Sequence, residues 1–133
     1  MAERVYCLYR GKDQESILMQ KNACHDFAEK KGWNIVGEEQ EIGVSGYKVS
    51  ADDRVKLQRI RKAAEQGEFD ILLVFMYDRL GRNLNETPFI VEWFTKKGIH
   101  VWSVYEGEII DGVDAERMLD YIRFWQTDEA QKL

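Results

Sequence analysis

Apolar positions along the chain follow two alternating rhythms. "RVYCLY" (4–9) mixes aromatic and β-branched residues as a strand does, and the polar stretch "RGKDQES" after it reads as a turn. From Ile17 the period changes. Ile17, Cys24, Phe27 and Ala28 share one helical face, and Gly32 is a natural stop. "WNIVGEEQ" (33–40) predicts a second strand, and "EIGVSGYKVSADD" (41–53), with its two glycines and its serines, predicts a long loop. Leu57, Ile60 and Ala64 at i, i+3, i+7 predict a second helix, capped from the Ser50 to Asp53 region and ended near Gly67. The continuous apolar run "FDILLVFM" (69–76) is the pattern of a central strand covered on both faces. A third helix starts with Thr87 as cap and Pro88 in its first turn, buries Ile90, Trp93 and Phe94, and stops before Gly98. "IHVWSVY" (99–105) predicts another strand. From about Asp114, Met118, Ile122 and Trp125 at i, i+4, i+7 predict a last helix that the sequence cuts short.

Strands alternating with helices of this length imply an α/β fold with a mostly parallel central sheet flanked by helices, and a long C-terminal helix. In such sheets ligands sit beyond the carboxyl ends of the strands. The polar stretches 10–16, 41–54 and 77–86 each follow a strand, so they are expected to share one edge. That expectation gathers Arg10, Arg54, Arg79 and Arg82 there, with Glu41 and Asp78 among them.

Composition changes this picture little. A length of 133 residues suits one domain spanning 1–133, and 44% hydrophobic with 32% charged residues leaves enough apolar side chains for a core. No run reaches the length of a membrane helix, and no leader pattern opens the chain, so the expected compartment is the cytoplasm. Cys7 and Cys24 lack metal or redox spacing and read as core thiols; His25 and His100 read as surface residues. A net charge of −5 argues against binding nucleic acid by bulk electrostatics, so such a function needs local basic groups or a further domain.

Four guanidiniums against two carboxylates are such a local group. Arginine grips phosphate oxygens with a planar fork and keeps its charge in any surroundings. Fixed cations around a transferring phosphoryl group stabilise the charge that develops on its oxygens. The chemistry suggested is phosphoryl transfer or phosphate binding. The plainer reading makes Asp78 and Arg79 an exposed ion pair, Arg82 a solvated helix residue and Gly81 a turn.

The order of the motifs favours the first reading. "FMYDRLGRN" (75–83) resembles the D-R-L-x-R signature of the serine recombinases, the resolvase and invertase family with its larger transposon and phage integrase relatives. "YCLYR" resembles the family's first strand with its active-site arginine, "LMQK" the start of the first helix with a recurrent glutamine, and "GVSGYKVSADDR" the S-G-x-x-x-x-D-R loop, one or two residues longer here. The matches keep family order over about residues 4–126, and "VEWFTKKGIHVWSVYEG" is most similar to the large, transposon-type branch. The resemblance implies that Arg10, Arg54, Arg79 and Arg82 surround a scissile DNA phosphate. Asp78 becomes the candidate proton donor to the leaving sugar oxygen, or the orienter of an arginine. Gln20, Glu41 and Ser45 become phosphate-contacting or supporting residues, with Glu41 where the family usually has Asp. It further implies DNA as partner, a homodimer that forms a tetramer in synapsis through the last helix, and an additional C-terminal DNA-binding domain. No nucleotide cofactor is implied, and no metal is needed where arginines supply the charge.

One element of the pattern is missing. The family nucleophile is a serine two residues after the first-strand arginine, in a stretch that reads R-V-S-T, whereas this chain reads "YRGKDQES" with Lys12 at that position. Ser16 is the nearby hydroxyl and suits a helix cap better than a nucleophile. Three readings are open: an inactive recombinase-fold module for dimerisation or DNA docking, a Ser16 that swings in from a mobile loop, or a segment absent between Arg10 and Gly11. The abrupt junction fits an excision better than a substitution, and the nucleophile is left unassigned. A more distant rival, a signalling or nucleotide-binding α/β domain, would require a glycine-rich loop that "RGKDQES" does not provide.

Overall fold

The first strand buries both of its faces. In a computed structural model of the chain, which describes residues 2–43, 54–81 and 87–109, β1 (Arg4–Gly11) sends Val5, Cys7 and Tyr9 into one apolar cluster and Leu8 into another. A strand covered on both faces belongs inside a sheet. β1 lies between β2 (Asn34–Ile42) and β3 (Ile71–Val74), and the sheet continues through β4 (His100–Ser103) to β5 (Gly107–Ile109) in the order β2-β1-β3-β4-β5. The first three pairings are parallel and β4 with β5 is antiparallel.

Among the described residues, one long helix covers one face and two cover the other. α1 (Gln14–Lys31) packs Ile17 and Cys24 against Val5, Cys7, Ile71 and Leu73. α2 (Val55–Glu65) and α4 (Thr87–Lys96) pack Leu57, Ile60, Ile90, Val91 and Phe94 against Leu8, Leu72, Val74 and Val101. The four residues Ile71–Val74 are all buried, as the continuous apolar run requires. Cys7 and Cys24 are buried free thiols, and His25 and His100 are exposed, each against a glutamate at 2.8 Å. No helix among the described residues is long and apolar enough to cross a membrane.

The mostly parallel α/β architecture stands, with local corrections. β1 and β2 run on to Gly11 and Ile42, so Arg10 and Glu41 are strand residues in register with each other rather than loop residues. The stretch after β3 contains a one-turn helix, α3 (Tyr77–Leu80), anchored by buried Tyr77 and Leu80. β5 was not anticipated, because three residues carry too little alternation to read. Ser16 neither caps α1 nor stands in a loop. Asp13 is the cap, accepting the Ser16 N–H at 2.9 Å, and Ser16 lies within the first turn. The cap position of α2 is Arg54, whose side chain makes no capping bond, and Thr87 is the first residue of α4. The helix expected from about residue 114 lies outside the described residues, as do Ser45, Ser50, Asp53 and Arg82.

Gly37 shows how closely the edge strand is fitted. A Cβ added there would come within 2.4 Å of the Tyr6 ring, whose hydroxyl donates to Glu39 at 3.0 Å and whose other side meets Phe69 at 5.2 Å between centroids. The ring is held on both sides and cannot retreat. Gly37→Ala is therefore expected to lower stability by about 1–3 kcal/mol. In a Tyr6→Val background the same change should cost markedly less, a coupling that urea denaturation of the four variants would measure.

Candidate functional site

The sheet order reverses at β1. The chain leaves β1 for β2 on one side and then returns through α2 to β3 on the other, and in sheets of this kind the crevice for a ligand lies beyond the carboxyl ends of the two strands at the switch, here β1 and β3. Arg10 stands at one lip of it and α3 at the other.

Beyond Leu8, β1 has lost its partner on the β3 side, because that register ends at Leu8 with Val74. The main chain of Arg10 faces this gap. Gln20 of α1 fills it with its side-chain amide: Oε1 accepts the Arg10 N–H at 3.1 Å, and Nε2 donates to the Arg10 carbonyl at 2.8 Å. A fully buried glutamine thus takes the part of an absent strand, and both backbone groups are satisfied. The same amide reaches the Ser16 hydroxyl at 3.3 Å.

The Arg10 guanidinium is buried and donates through Nη2 to the main-chain carbonyl of Asp78. Arg79 reaches back and donates through Nη1 to the Arg10 carbonyl at 3.1 Å. Its Nε lies 3.4 Å from Asp78 Oδ1, with side-chain exposures of 19% for Arg79 and 1% for Asp78, so this is no solvated surface pair. Arg10, Gln20, Asp78 and Arg79 therefore form one contiguous group.

Arg54 and Glu41 form a second, adjoining group. Arg54 donates Nε and Nη2 to the two Glu41 carboxylate oxygens at 3.0 and 2.5 Å, and Nη1 to the Leu80 carbonyl at 2.5 Å. Both side chains are 1% exposed. The guanidinium that the sequence assigned to a positive pocket is thus matched by a carboxylate, and its remaining edge holds the end of α3. Glu41 tolerates a strand position inside the protein because this forked pair compensates its desolvation.

A further acid enters at the same edge. Glu106, in the turn between β4 and β5, accepts the Tyr77 N–H at 3.0 Å and the Ser103 hydroxyl at 3.0 Å on Oε2, while its own N–H donates to Ser103 Oγ at 2.7 Å. Pattern reading passed over it. The available signal was its place shortly beyond a strand, as with Asp78. Ser45 and Arg82 lie outside the described residues.

The connection where a nucleophile would be expected is short. Only Lys12 and Asp13, both exposed, join β1 to α1. Gly11 presses on the helix: a Cβ there would meet Ser16 Oγ at 2.5 Å and Ser16 Cβ at 2.8 Å. The R-V-S-T of the family, with valine at this position, does not fit this connection without moving α1.

The buried pair gives a direct test. Glu41→Gln or Arg54→Met alone leaves a buried charge unmatched and should cost about 3–5 kcal/mol, whereas Glu41→Leu with Arg54→Met should cost less than either. Chemical denaturation of the three variants measures this.

Comparisons with known proteins bear on the family and the fold. The sequence profile of the family described as "Resolvase, N terminal domain" matches residues 10–129. No curated protein matches the chain. Among solved structures, the N-terminal catalytic domain of TP901-1 integrase is similar at 26% identity and a TM-score of 0.75, with 98% of each chain covered. A resolvase family site-specific recombinase from Streptococcus pneumoniae shares the fold at 23% identity and a TM-score of 0.69, covering 98% of this chain and 89% of that one. So does the C-terminal catalytic domain of ISC1926 TnpA, an IS607-like serine recombinase, at 22% identity and a TM-score of 0.68, with 97% and 92% covered. With the profile spanning most of its length and a resolvase-like catalytic-domain fold, the chain belongs to the resolvase N-terminal domain family of serine recombinases.

Proposed function

We propose that this domain serves site-specific DNA recombination, cleaving and rejoining strands by transesterification through a phosphoserine intermediate. The observation that carries the reading is the convergence of Arg10, Asp78 and Arg79 at the crevice where the sheet order reverses. In each cleavage a serine oxygen bonds to phosphorus as the bond from phosphorus to the sugar oxygen breaks. The number of phosphoester bonds is unchanged, so no energy-supplying cofactor is required. Arg10, Arg79 and Arg82, with Arg54 behind them, grip the phosphate. Asp78 delivers a proton to the sugar oxygen or orients Arg79. Gln20 and Glu41 support the arginines, and Ser45 contacts phosphate. The working assembly is a homodimer that becomes a tetramer in synapsis through the segment from about residue 114, in the cytoplasm.

The nucleophile belongs, in this reading, to a segment between Arg10 and Gly11 that this sequence lacks. What supports it is the abrupt passage from Arg10 to Gly11 in a stretch where the family reads R-V-S-T. The opposing observation is Lys12 at the nucleophile position, with Gly11 packed on Ser16, and it favours an inactive module. A suicide DNA substrate that traps the covalent product separates the two. The chain as it stands should form no adduct, and the complete reading frame should place a serine two residues after Arg10 and form one. A frame that reads "YRGKDQES" without interruption defeats the missing segment and, with no adduct formed, favours the inactive module.

In the complete enzyme, Arg79→Lys and Arg82→Lys keep the charge but lose the fork. Losing a transition-state contact of about 3–4 kcal/mol should slow adduct formation roughly a hundredfold to a thousandfold, with DNA binding nearly unchanged. Arg59, exposed and 3.7 Å from Glu39, is the control, and Arg59→Lys should be nearly silent. Parent rates for both clamp variants would put the clamp on the wrong arginines.

With a net charge of −5, the chain alone should bind duplex DNA weakly at physiological salt, the tight site-specific affinity residing in a further C-terminal domain. Fluorescence anisotropy tests this, and submicromolar specific binding by the chain alone would refute it.

A further inference from the structure

We propose that Glu106 is a positioning residue for strand cleavage: its carboxylate holds the first N–H of α3 and so fixes where Asp78 and Arg79 stand. The role in cleavage rests on the function proposed above; the hold on α3 does not.

Four residues make a helix with no internal ladder to speak of, so nearly all its backbone groups need outside partners. α3 finds them in charged side chains. Arg10 takes the Asp78 carbonyl, Arg54 takes the Leu80 carbonyl, and Glu106 takes the Tyr77 N–H. Cations sit on carbonyls and an anion on an amide, which is also the arrangement that the aligned peptide dipoles favour. The Arg10 and Arg54 contacts come from residues that already belong to the phosphate site. Glu106 is the member of this set that the motif does not include.

Glu106 is itself held. Ser103, fully buried at the end of β4, donates its hydroxyl to Glu106 Oε2 and accepts the Glu106 N–H, closing a small ring. The turn that carries Glu106 is tied to the root of α3, because Val104 and Tyr105 donate their N–H groups to the carbonyls of Val74 and Phe75 at 3.0 and 3.1 Å. β4 therefore delivers the carboxylate to α3 in fixed register.

Burial pushes the Glu106 carboxyl above the usual glutamate range and the charge of Asp78 adds to this, outweighing the hydrogen bonds from Tyr77 and Ser103 that pull it down. For an acid whose folded value is raised, the favourable contribution is complete below the unfolded value and is lost as pH rises through the folded one. At neutral pH the charge on Glu106 thus detracts from stability. A carboxylate kept at such a cost beside Asp78 fits a task at the site better than a task in the core.

The test uses the whole chain for the backbone and the complete enzyme for the reaction. In Glu106→Ala, hydrogen exchange at the Tyr77 amide should quicken about tenfold or more while the Leu72 and Leu73 amides are unchanged. Glu106→Gln keeps an acceptor oxygen and should retain most of the protection. It should also melt no lower than the parent at pH 7, with any difference vanishing below about pH 4. In the complete enzyme, Glu106→Ala should slow covalent adduct formation at least tenfold with unchanged DNA affinity, and Glu106→Gln should keep most of the parent rate. Unchanged Tyr77 exchange in a folded Glu106→Ala chain overturns the hold on α3. Parent adduct rates in Glu106→Ala overturn the role in cleavage. A parent enzyme that forms no adduct overturns the proposed reaction instead, leaving the exchange result to decide on Glu106 alone.

Discussion

Everything at the carboxyl edge of the sheet depends on how one turn of helix is kept folded. Tyr77–Leu80 is too short to sustain itself, and the apolar anchors Tyr77 and Leu80 fix its depth but not its orientation. Orientation comes from ionic side chains on its peptide groups, delivered from β1, from the start of α2 and from the turn after β4. Asp78 and Arg79 occupy defined positions because three separate parts of the fold meet on the backbone that carries them.

This arrangement sets the electrostatic character of the site. Buried guanidiniums and carboxylates are tolerable only when their hydrogen-bonding edges are occupied, and here main-chain carbonyls do much of that work. Such dipoles compensate a buried cation without cancelling its charge. Arg10 meets a carbonyl, whereas Arg54 meets a full carboxylate in Glu41. The two arginines are therefore not equivalent. Arg10 and Arg79 tie α3 to the end of β1, while Arg54 braces α3 against β2.

The large elements were legible because each buries a long stripe: the run before Asp78 reads as a central strand, and Ile17 to Ala28 reads as a helix ended by Gly32. The members of the family motif were legible as residues, yet their partners were not. Glu41 looked like loop because a carboxylate in a strand makes sense only once Arg54, thirteen positions away, is seen to match it. Gln20 was picked out by resemblance alone; its physical reason, an unpaired stretch of β1, depends on where β3 ends. The acceptor for Arg10 is a backbone carbonyl, which every residue possesses and no pattern marks. Glu106 escaped because its partner is a backbone N–H for the same reason, and β5 and α3 because neither is long enough to show a period.

The substitution of a glutamine side chain for a strand at Arg10 has a mechanical consequence. A β-ladder resists local change, since shifting one residue disturbs its neighbours in register. A side-chain amide can swing away on its own torsions, and Arg10 would then be released from α1 at the expense of two hydrogen bonds while the rest of β1 stayed zipped to β2. Gln20 thus makes the main chain of Arg10 answer to the position of α1 through a side chain, where the rest of β1 answers to its neighbouring strands.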